Sequence, residues 1–454
     1  MLKFIDQAGM RGRAGVVAVC LMAGGLSGCV VSLTPQMKPV FDTSDKTPES
    51  KPPSLAKWQA EGPVKFFLVH GMNDDPFGAD WQDALKETSY HDLERQLNDW
   101  DHQSPDFQNA VREAAVGNQF SGFIGNYAKK AHLTEQTSME ENEKAPYDFE
   151  LIQDPYGTVI GYTFKRSFLT SGSNAVDFYV TCWCVHDSEV KEAKYGATSG
   201  NKPWGESWDY RQEYQNYRHY VNGLLKHSVV EWGLTDAALY LSNGRGEFEW
   251  AVATGISRMA AELKSDDRMV VLTESLGSTI TYNVLKHFSG DKVIYGRPWK
   301  WTDAQQAGWT SFLHKQGTGA EARIAFYMMA NQYALLSTDE QKPSGMGPMM
   351  KEAAEPVDHP AQVLGAAFKK TPGAPPIQLV AFTDPDDLLS FRLPTEGAPS
   401  NIQIRNVIVN NNWYAIGLFV GPVEAVDATN PLNSHTGYDT NGKVLDVMLN
   451  GIKE

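Results

Sequence analysis

The chain has 454 residues, hydrophobic side chains at 42% of its positions and a formal net charge of −15 at pH 7. This length is sufficient for one globular domain with additional segments. The acidity argues against nucleic acid as a partner and against electrostatic docking on anionic lipid. The sequence contains no H-E-x-x-H pair and no G-x-x-x-x-G-K-[ST] loop, so we expect no metal and no cofactor in its chemistry.

The N-terminal residues have the pattern of a bacterial secretion signal. Three basic residues come first, the segment 14–25 is small and mostly apolar, and Leu26-Ser27-Gly28-Cys29 follows it. These four residues resemble the lipobox of bacterial lipoproteins, in which cleavage leaves a diacylated cysteine at the N-terminus. The apolar segment is too short to span a bilayer as a helix. We therefore expect a lipoprotein signal peptide over residues 1–28 and lipidation of Cys29, with a plain secretory signal as the alternative.

Residues 29–57 are predicted to form a disordered tether. Prolines recur there among serine, threonine and charged residues, and such a composition cannot bury a core. Val30, rather than Asp, follows the cysteine, which in Gram-negative lipoproteins favours the outer membrane. We expect the protein in the bacterial cell envelope, lipid-anchored and facing the periplasm. The globular domain, residues 58–454, is expected to begin near Trp58 or Pro63.

The first strong strand pattern is the apolar run Val64–Val69, which ends in His70-Gly71-Met72. Further along the chain, Ala175–Trp183 and Ala237–Leu241 are predicted as strands and Glu247–Leu263 as a helix. On a strand, Cys182 and Cys184 would point to the same face, which suits a disulfide poorly. They could bind a metal with His186, but we favour buried structural thiols.

Another apolar strand, Arg268–Leu272, runs into Thr273-Glu274-Ser275-Leu276-Gly277, and a helical pattern follows. A serine at such a sharp strand-to-helix turn projects its hydroxyl above the sheet, and its neighbours must be small because strand and helix pack closely. The free N–H groups at the start of the helix can also stabilise an oxyanion. The pattern predicts a nucleophilic serine at position 275.

The next strong strand pattern, Ile377–Phe382, ends in an acid-rich turn that contains Asp384, Asp386 and Asp387. His435 is the only histidine after that turn. It lies in a stretch that favours a loop, and a helix-compatible segment, Val444–Leu449, follows it. Aspartates that do not act in catalysis would serve to form the turn.

These features resemble the serine α/β-hydrolase superfamily and, more narrowly, its esterase- and lipase-type members found as bacterial lipoproteins. The resemblance covers Val64–Gly71 and the region from Arg268 to the C-terminus. Glu274 resembles the second residue of the carboxylesterase Gly-Glu-Ser pattern, whereas Thr273 stands where the family usually has Gly. The resemblance implies an α/β-hydrolase fold, with a mostly parallel central sheet flanked by helices and a large insertion or cap between the oxyanion loop and the nucleophile elbow.

The family order of nucleophile, acid and base implies Ser275, Asp387 and His435, with Asp386 and then Asp384 as the alternative acids. The oxyanion donors would be the backbone N–H groups of Met72 and Leu276, and the other motif residues would be His70, Gly71 and Gly277. The segments 99–154, 188–220 and 341–375 are read as insertions, either over the acyl pocket or as surface additions. The Met-rich segment 341–375 could line an apolar substrate site.

The resemblance therefore implies a serine carboxylic-ester hydrolase with an acyl ester, which could be a lipid, as its substrate. Two alternatives stay open. The same fold could act as a hydrolase or transferase on amide, thioester or acyl-glycan substrates, or it could be a non-catalytic binding lipoprotein.

Overall fold

The structure is a computed structural model that describes residues 29–32, 40–41, 53–71, 77, 89–118, 120–136, 148–195, 235–242, 244–290, 292–318, 322–333, 359–368, 375–411, 415–420, 423–428 and 431–451. The strands in these ranges are β1 (Cys29–Ser32), β2 (Val40–Phe41), β3 (Val64–Val69), β4 (Thr134–Glu135), β5 (Asp148–Gln153), β6 (Val159–Leu169), β7 (Ala175–Cys182), β8 (Arg268–Glu274), β9 (Val293–Ile294), β10 (Arg297–Pro298), β11 (Ile324–Met329), β12 (Ile377–Thr383), β13 (Ile402–Ile408), β14 (Ala415–Val420) and β15 (Val423–Ala428).

The α-helices in the same ranges are α1 (Leu55–Glu61), α2 (Tyr90–Asn98), α3 (Pro105–Asn118), α4 (Ser121–Lys130), α5 (Val185–Tyr195), α6 (Thr235–Tyr240), α7 (Arg245–Glu262), α8 (Leu276–Ser289), α9 (Asp303–Thr318), α10 (Pro360–Ala367), α11 (Pro431–Thr436) and α12 (Gly442–Asn450). A short 3₁₀ helix, Trp100–His102, follows α2.

The largest sheet has the strand order β2-β13-β12-β11-β8-β3-β7-β6-β4, and β5 also pairs with β6. Strands β13, β12, β11, β8, β3 and β7 are mutually parallel, whereas β2 and β6 join the two sides of this block in antiparallel orientation. The chain is therefore an α/β protein with a mostly parallel central sheet flanked by helices, as the sequence predicts.

The central strands are long apolar runs because helices cover both faces of the sheet. Every residue of β3, β11 and β12 is buried. Alternate residues enter two different hydrophobic clusters, since successive side chains of a strand point to opposite faces. Phe66 and Leu68 join the cluster that contains α1, α3, α4 and α12 residues, and Phe67 and Val69 join the one that contains α7, α8 and α10 residues.

Most predicted elements near the sequence motifs are present: the strands over 64–69, 175–182, 268–274 and 377–383, and the helices over 245–262, 276–289 and 442–450. The prediction of a strand over Ala237–Leu241 is wrong, because this segment lies largely in helix α6. A short apolar run does not distinguish strand from helix by its periodicity, and Ala and Leu are strong helix formers.

The predicted tether, residues 29–57, contains some regular structure. Strand β1 pairs with β14, β2 pairs with β13, and α1 already begins at Leu55. The expected signal, residues 1–28, lies outside the described residues. Among the helices that are described, none is both long and apolar enough to cross a membrane.

The segment 99–154, expected to be an insertion, supplies α3 and α4 and also strands β4 and β5, which pair with β6 and extend the sheet at its edge. Helix α10, within the segment 341–375, packs against α8. Of the segment 188–220, only the part up to Tyr195, in α5, is described.

Candidate active site

Three of the predicted site segments follow strands of the parallel block. Strand β8 lies between β3 and β11, and β12 is the next strand after β11. His70-Gly71 follows β3, Ser275 follows β8, and the acid-rich turn follows β12. Because the carboxyl ends of parallel strands meet at one edge of the sheet, these segments converge there.

Ser275 lies at the junction between β8 and α8, with φ 51° and ψ −126°. A positive φ is uncommon for a residue with a side chain, and its cost is of order 1–3 kcal/mol. The Ser275 N–H donates to the carbonyl oxygen of Met329 at 2.8 Å, which ties the junction to the end of β11. Ser275 therefore lies at a sharp turn from strand to helix, at the position where the sequence predicts such a turn.

Close packing explains the glycines around the serine. A Cβ atom on Gly277 would overlap the carbonyl oxygen of His70, so α8 could not lie this near β3 with a larger residue. A Cβ atom on Gly71 would lie 2.5 Å from the Cβ of Ser275. The His-Gly segment and the nucleophile turn are therefore in direct contact.

Thr273 occupies the position where the resembled family usually has Gly. Its side chain is buried, and its Oγ1 is 2.8 Å from Oγ of Ser278 in the first turn of α8. The threonine is thus accommodated by a side-chain hydrogen bond between strand and helix.

Ser275, His435 and Asp387 form a continuous hydrogen-bonded chain. His435 Nδ1 lies 2.9 Å from Oδ1 and 3.1 Å from Oδ2 of Asp387, and His435 Nε2 lies 3.0 Å from Ser275 Oγ. Because a carboxylate only accepts, Nδ1 carries the ring proton, which leaves Nε2 free to accept the proton of the serine hydroxyl. The arrangement can move a proton from Oγ to Nε2 while the carboxylate stabilises the resulting imidazolium.

The three aspartates of the acid turn have different partners. The Asp387 side chain is fully buried and also accepts the N–H of Leu389 at 3.0 Å. Asp384 accepts the backbone N–H groups of Asp386 at 2.9 Å and Asn411 at 2.5 Å, so it shapes the turn. Burial raises the pKa of Asp384. Of the three, Asp387 is the residue that contacts the histidine.

His435 lies in the last turn of helix α11 rather than in the loop that its surroundings predict. The segment is held by amide side chains: Asn411 Nδ2 donates to the carbonyl oxygen of Ser434 at 2.6 Å, and Asn441 Nδ2 donates to Asn411 Oδ1 at 2.7 Å. The position of His435 is thus connected to the same Asn411 that bonds to Asp384.

Sequence reasoning assigned no role to Tyr438. Its hydroxyl accepts the N–H of Asp384 at 2.6 Å and donates to Asp387 Oδ2 at 3.1 Å. Burial and the neighbouring Asp387 raise the pKa of Tyr438, so the hydroxyl stays protonated and remains a donor. In the sequence, the only indication that Tyr438 belongs to this site is its position three residues after His435.

Glu274, directly before the nucleophile, has a strongly shifted pKa. Burial, together with the neighbouring carboxyl groups of Asp439 and Asp387, raises it from 4.5 to about 8. The carboxyl group is therefore mostly neutral at pH 7. A neutral Glu274 adds no further negative charge beside the pair formed by Asp387 and His435.

The structure describes one of the two predicted oxyanion donors. Leu276 is the first residue of α8, where backbone N–H groups have no partner in a preceding turn, so its N–H is positioned to receive an oxyanion beside Ser275. Met72 lies outside the described residues.

His70 is buried, and its ring stacks on Trp183 with centroids 4.8 Å apart and an interplanar angle of 17°. Burial lowers its pKa to about 3, so the imidazole is neutral. The neighbouring residue, Gly71, lies against Ser275.

The preference for free thiols at Cys182 and Cys184 is wrong, since the structure joins them as a disulfide with Cα atoms 5.4 Å apart. Strand β7 ends at Cys182, so Cys184 is not bound to strand geometry and the two sulfur atoms can meet. His186 does not join them; its Nδ1 lies 3.2 Å from Glu94, whose hydrogen bond raises the pKa of His186 to about 9.

Comparison with protein-family models finds no match for this chain, and no curated protein and no solved structure matches it significantly. The geometry of the site and the fold therefore carry the functional argument.

Proposed function

We propose that this protein is a serine hydrolase that cleaves carboxylic esters through an acyl-enzyme, with Ser275 as nucleophile, His435 as general base and acid, and Asp387 as the orienting carboxylate. The observation that carries the proposal is the unbroken chain of hydrogen bonds from Asp387 through His435 to Ser275. A serine hydroxyl is too weak an acid to attack an ester unaided, and this arrangement supplies the base.

The proposed reaction follows from the positions of the protons. Nε2 of His435 takes the hydroxyl proton as Oγ of Ser275 attacks the ester carbonyl carbon. The N–H of Leu276 stabilises the negative charge on the carbonyl oxygen, and the imidazolium then protonates the departing alcohol. Water, deprotonated by the same nitrogen, releases the acid and restores Ser275.

We further propose that the sheet and its helices have the α/β-hydrolase fold. The chain order of serine, aspartate and histidine is that of the fold, and the serine occupies a strand-to-helix turn. The His-Gly segment after the neighbouring strand β3 is in contact with the nucleophile, as an oxyanion loop must be.

The lipobox-like Leu26–Cys29 supports the proposal that the enzyme is anchored in the bacterial envelope by lipid on Cys29. The net charge of −15 argues against nucleic acid as the partner. A single lipid-anchored domain would act on substrates that reach the membrane surface.

The proposal is tested by labelling with a fluorophosphonate, which reacts only with an activated serine. We expect wild type to be labelled and Ser275→Ala to remain unlabelled. Ser278→Ala is the matched control, because Ser278 lies on the same helix and its hydroxyl bonds to Thr273 instead of the histidine. Wild type that is folded and unlabelled would contradict the proposal and favour a binding protein.

Substrate class is measured with p-nitrophenyl esters graded by acyl length, beside a thioester and an amide. If Ser275 and His435 act as a unit, Ser275→Ala, His435→Ala and the double variant should lose similar factors in kcat, on the order of 10⁴–10⁶. Ester hydrolysis by folded Ser275→Ala at nearly the wild-type rate would exclude this nucleophile.

A further inference from the structure

Three side chains of types that can bind metals meet beside the turn at Ser275 and have no part in the proposed hydrolysis. One ligand atom each from His70, Cys182 and Cys184 lies within 4.8 Å of the others, and all three residues are buried. The parallel register that pairs Val69 with Thr181 brings the ends of β3 and β7 together, so His70 lies next to Cys182.

His70 has the tautomer of a metal ligand that binds through Nε2. Its Nδ1–H donates to the carbonyl oxygen of Gly71 at 2.7 Å, so Nε2 carries a lone pair. Nε2 is buried and has no hydrogen-bond partner among the described residues. A buried polar atom without a partner costs free energy. Histidines that bind metals typically donate their other ring N–H to a carbonyl or carboxylate, and stacking on Trp183 fixes this ring further.

The two cysteines are joined as a disulfide in the structure. The disulfide closes a very short loop, so breaking this bond changes the entropy of the unfolded chain little. A dithiol reductant can give two electrons to the S–S bond and two protons to the sulfur atoms, and is itself oxidised to a disulfide. The products are two buried thiols beside an unprotonated imidazole nitrogen.

We propose that the reduced protein binds one thiophilic cation of the Zn²⁺ type through Sγ of Cys182, Sγ of Cys184 and Nε2 of His70, and that the disulfide is the metal-free, oxidised form of this site. Two thiolates and one imidazole are a recognised ligand set for Zn²⁺, with a fourth position open to another donor. Binding releases the two thiol protons to solvent.

Tetrahedral Zn²⁺ with its usual bond lengths holds such donors about 3.5 Å apart. In the disulfide form the three donor atoms already lie within 4.8 Å of one another, and the two sulfur atoms can move apart to this distance once the bond between them is broken. Soft sulfur donors also favour Zn²⁺ over Mg²⁺ or Ca²⁺, which prefer oxygen.

The position of the site couples it to Ser275. His70 precedes Gly71, and a Cβ on Gly71 would lie 2.5 Å from the Cβ of Ser275. A cation on His70 therefore holds the segment that adjoins the nucleophile, and hydrolysis should differ between the metal-bound and disulfide forms. This consequence rests on the proposed function, whereas the existence of the site does not.

The test uses Co²⁺ as a spectroscopic probe in the full chain carrying Cys20→Ser and Cys29→Ser, which leaves the Cys182–Cys184 pair as its only cysteines. After reduction and anaerobic removal of the reductant, a thiol-reactive dye should detect two thiols. Added Co²⁺ should then give a thiolate-to-metal charge-transfer band and the visible bands of tetrahedral cobalt, saturating at one ion per chain and displaced by Zn²⁺. The oxidised protein should give neither band.

Cys182→Ser and His70→Asn should weaken Co²⁺ binding by at least about tenfold. His186→Gln is the matched control, because His186 and its carboxylate neighbours Glu94 and Glu189 form another group that could hold a metal but contain no sulfur. Loss of the charge-transfer band in His186→Gln, or two free thiols without such a band in reduced wild type, overturns the proposal. The wild-type comparison of oxidised and reduced protein decides the matter even if a variant fails to fold, and it needs no hydrolytic activity.

Discussion

Replacement of Asp387 by Asn tests the orienting role of this carboxylate. Asp387 lies 2.9 and 3.1 Å from His435 Nδ1 through its two oxygens. The amide of Asn can donate to Nδ1, which would place the ring proton on Nε2, where it blocks acceptance of the Ser275 proton. By analogy with serine proteases we expect kcat to fall by roughly 10⁴-fold, which corresponds to about 5 kcal/mol of transition-state stabilisation.

Asp384→Asn is the matched control, because Asp384 is buried in the same turn but bonds to the backbone N–H groups of Asp386 and Asn411. It should lower stability by about 1–2 kcal/mol through a weakened hydrogen bond and leave kcat nearly unchanged. Initial rates on the best p-nitrophenyl ester and urea unfolding midpoints separate the two effects. If folded Asp387→Asn retains wild-type kcat while folded Asp384→Asn or Asp386→Asn loses activity, the assignment of the acid is wrong.

Three further predictions concern the turn, its acid neighbour and the anchor. Ser275→Gly should be more stable than Ser275→Ala by about 1 kcal/mol in urea unfolding, because Gly tolerates the φ of 51° and Ala does not, and equal stabilities would argue against strain at this residue. The pKa of Glu274 is raised from 4.5 to about 8 in the folded state. Between these two pH values the folded state therefore binds more protons than the unfolded state. The contribution of Glu274 to stability falls as pH rises from about 4.5 to about 8. Glu274→Gln should remove that loss, which is at most about 5 kcal/mol. The change in unfolding midpoint between about pH 5 and about pH 9 should therefore differ between wild type and Glu274→Gln. The same change in both proteins would refute the raised pKa of Glu274. Cys29→Ser should abolish incorporation of labelled palmitate and membrane fractionation, and wild type without lipid by mass spectrometry would contradict the anchor.

Local patterns in the sequence were sufficient to propose Ser275, whereas His435 was proposed from the chain order that the family resemblance implies. The serine follows an apolar strand and precedes a helical pattern, and both of these features are short-range properties of the chain. The class of the fold was predictable for the same reason, since buried parallel strands read as continuous apolar runs. The prediction failed for Ala237–Leu241, where a short apolar run suits a strand and a helix equally well.

The tertiary structure decided which groups meet. Ser275 and His435 are 160 residues apart, and Asp387 and His435 are 48 apart, so their contacts depend on the order of strands in the sheet and on the bonds of each turn. Which of Asp384, Asp386 and Asp387 faces the histidine depends on the geometry of the turn, because successive residues of a turn direct their side chains differently. The roles of Tyr438 and His70 were not predictable because hydrogen bonding and burial by distant segments determine them, and no local periodicity encodes those contacts.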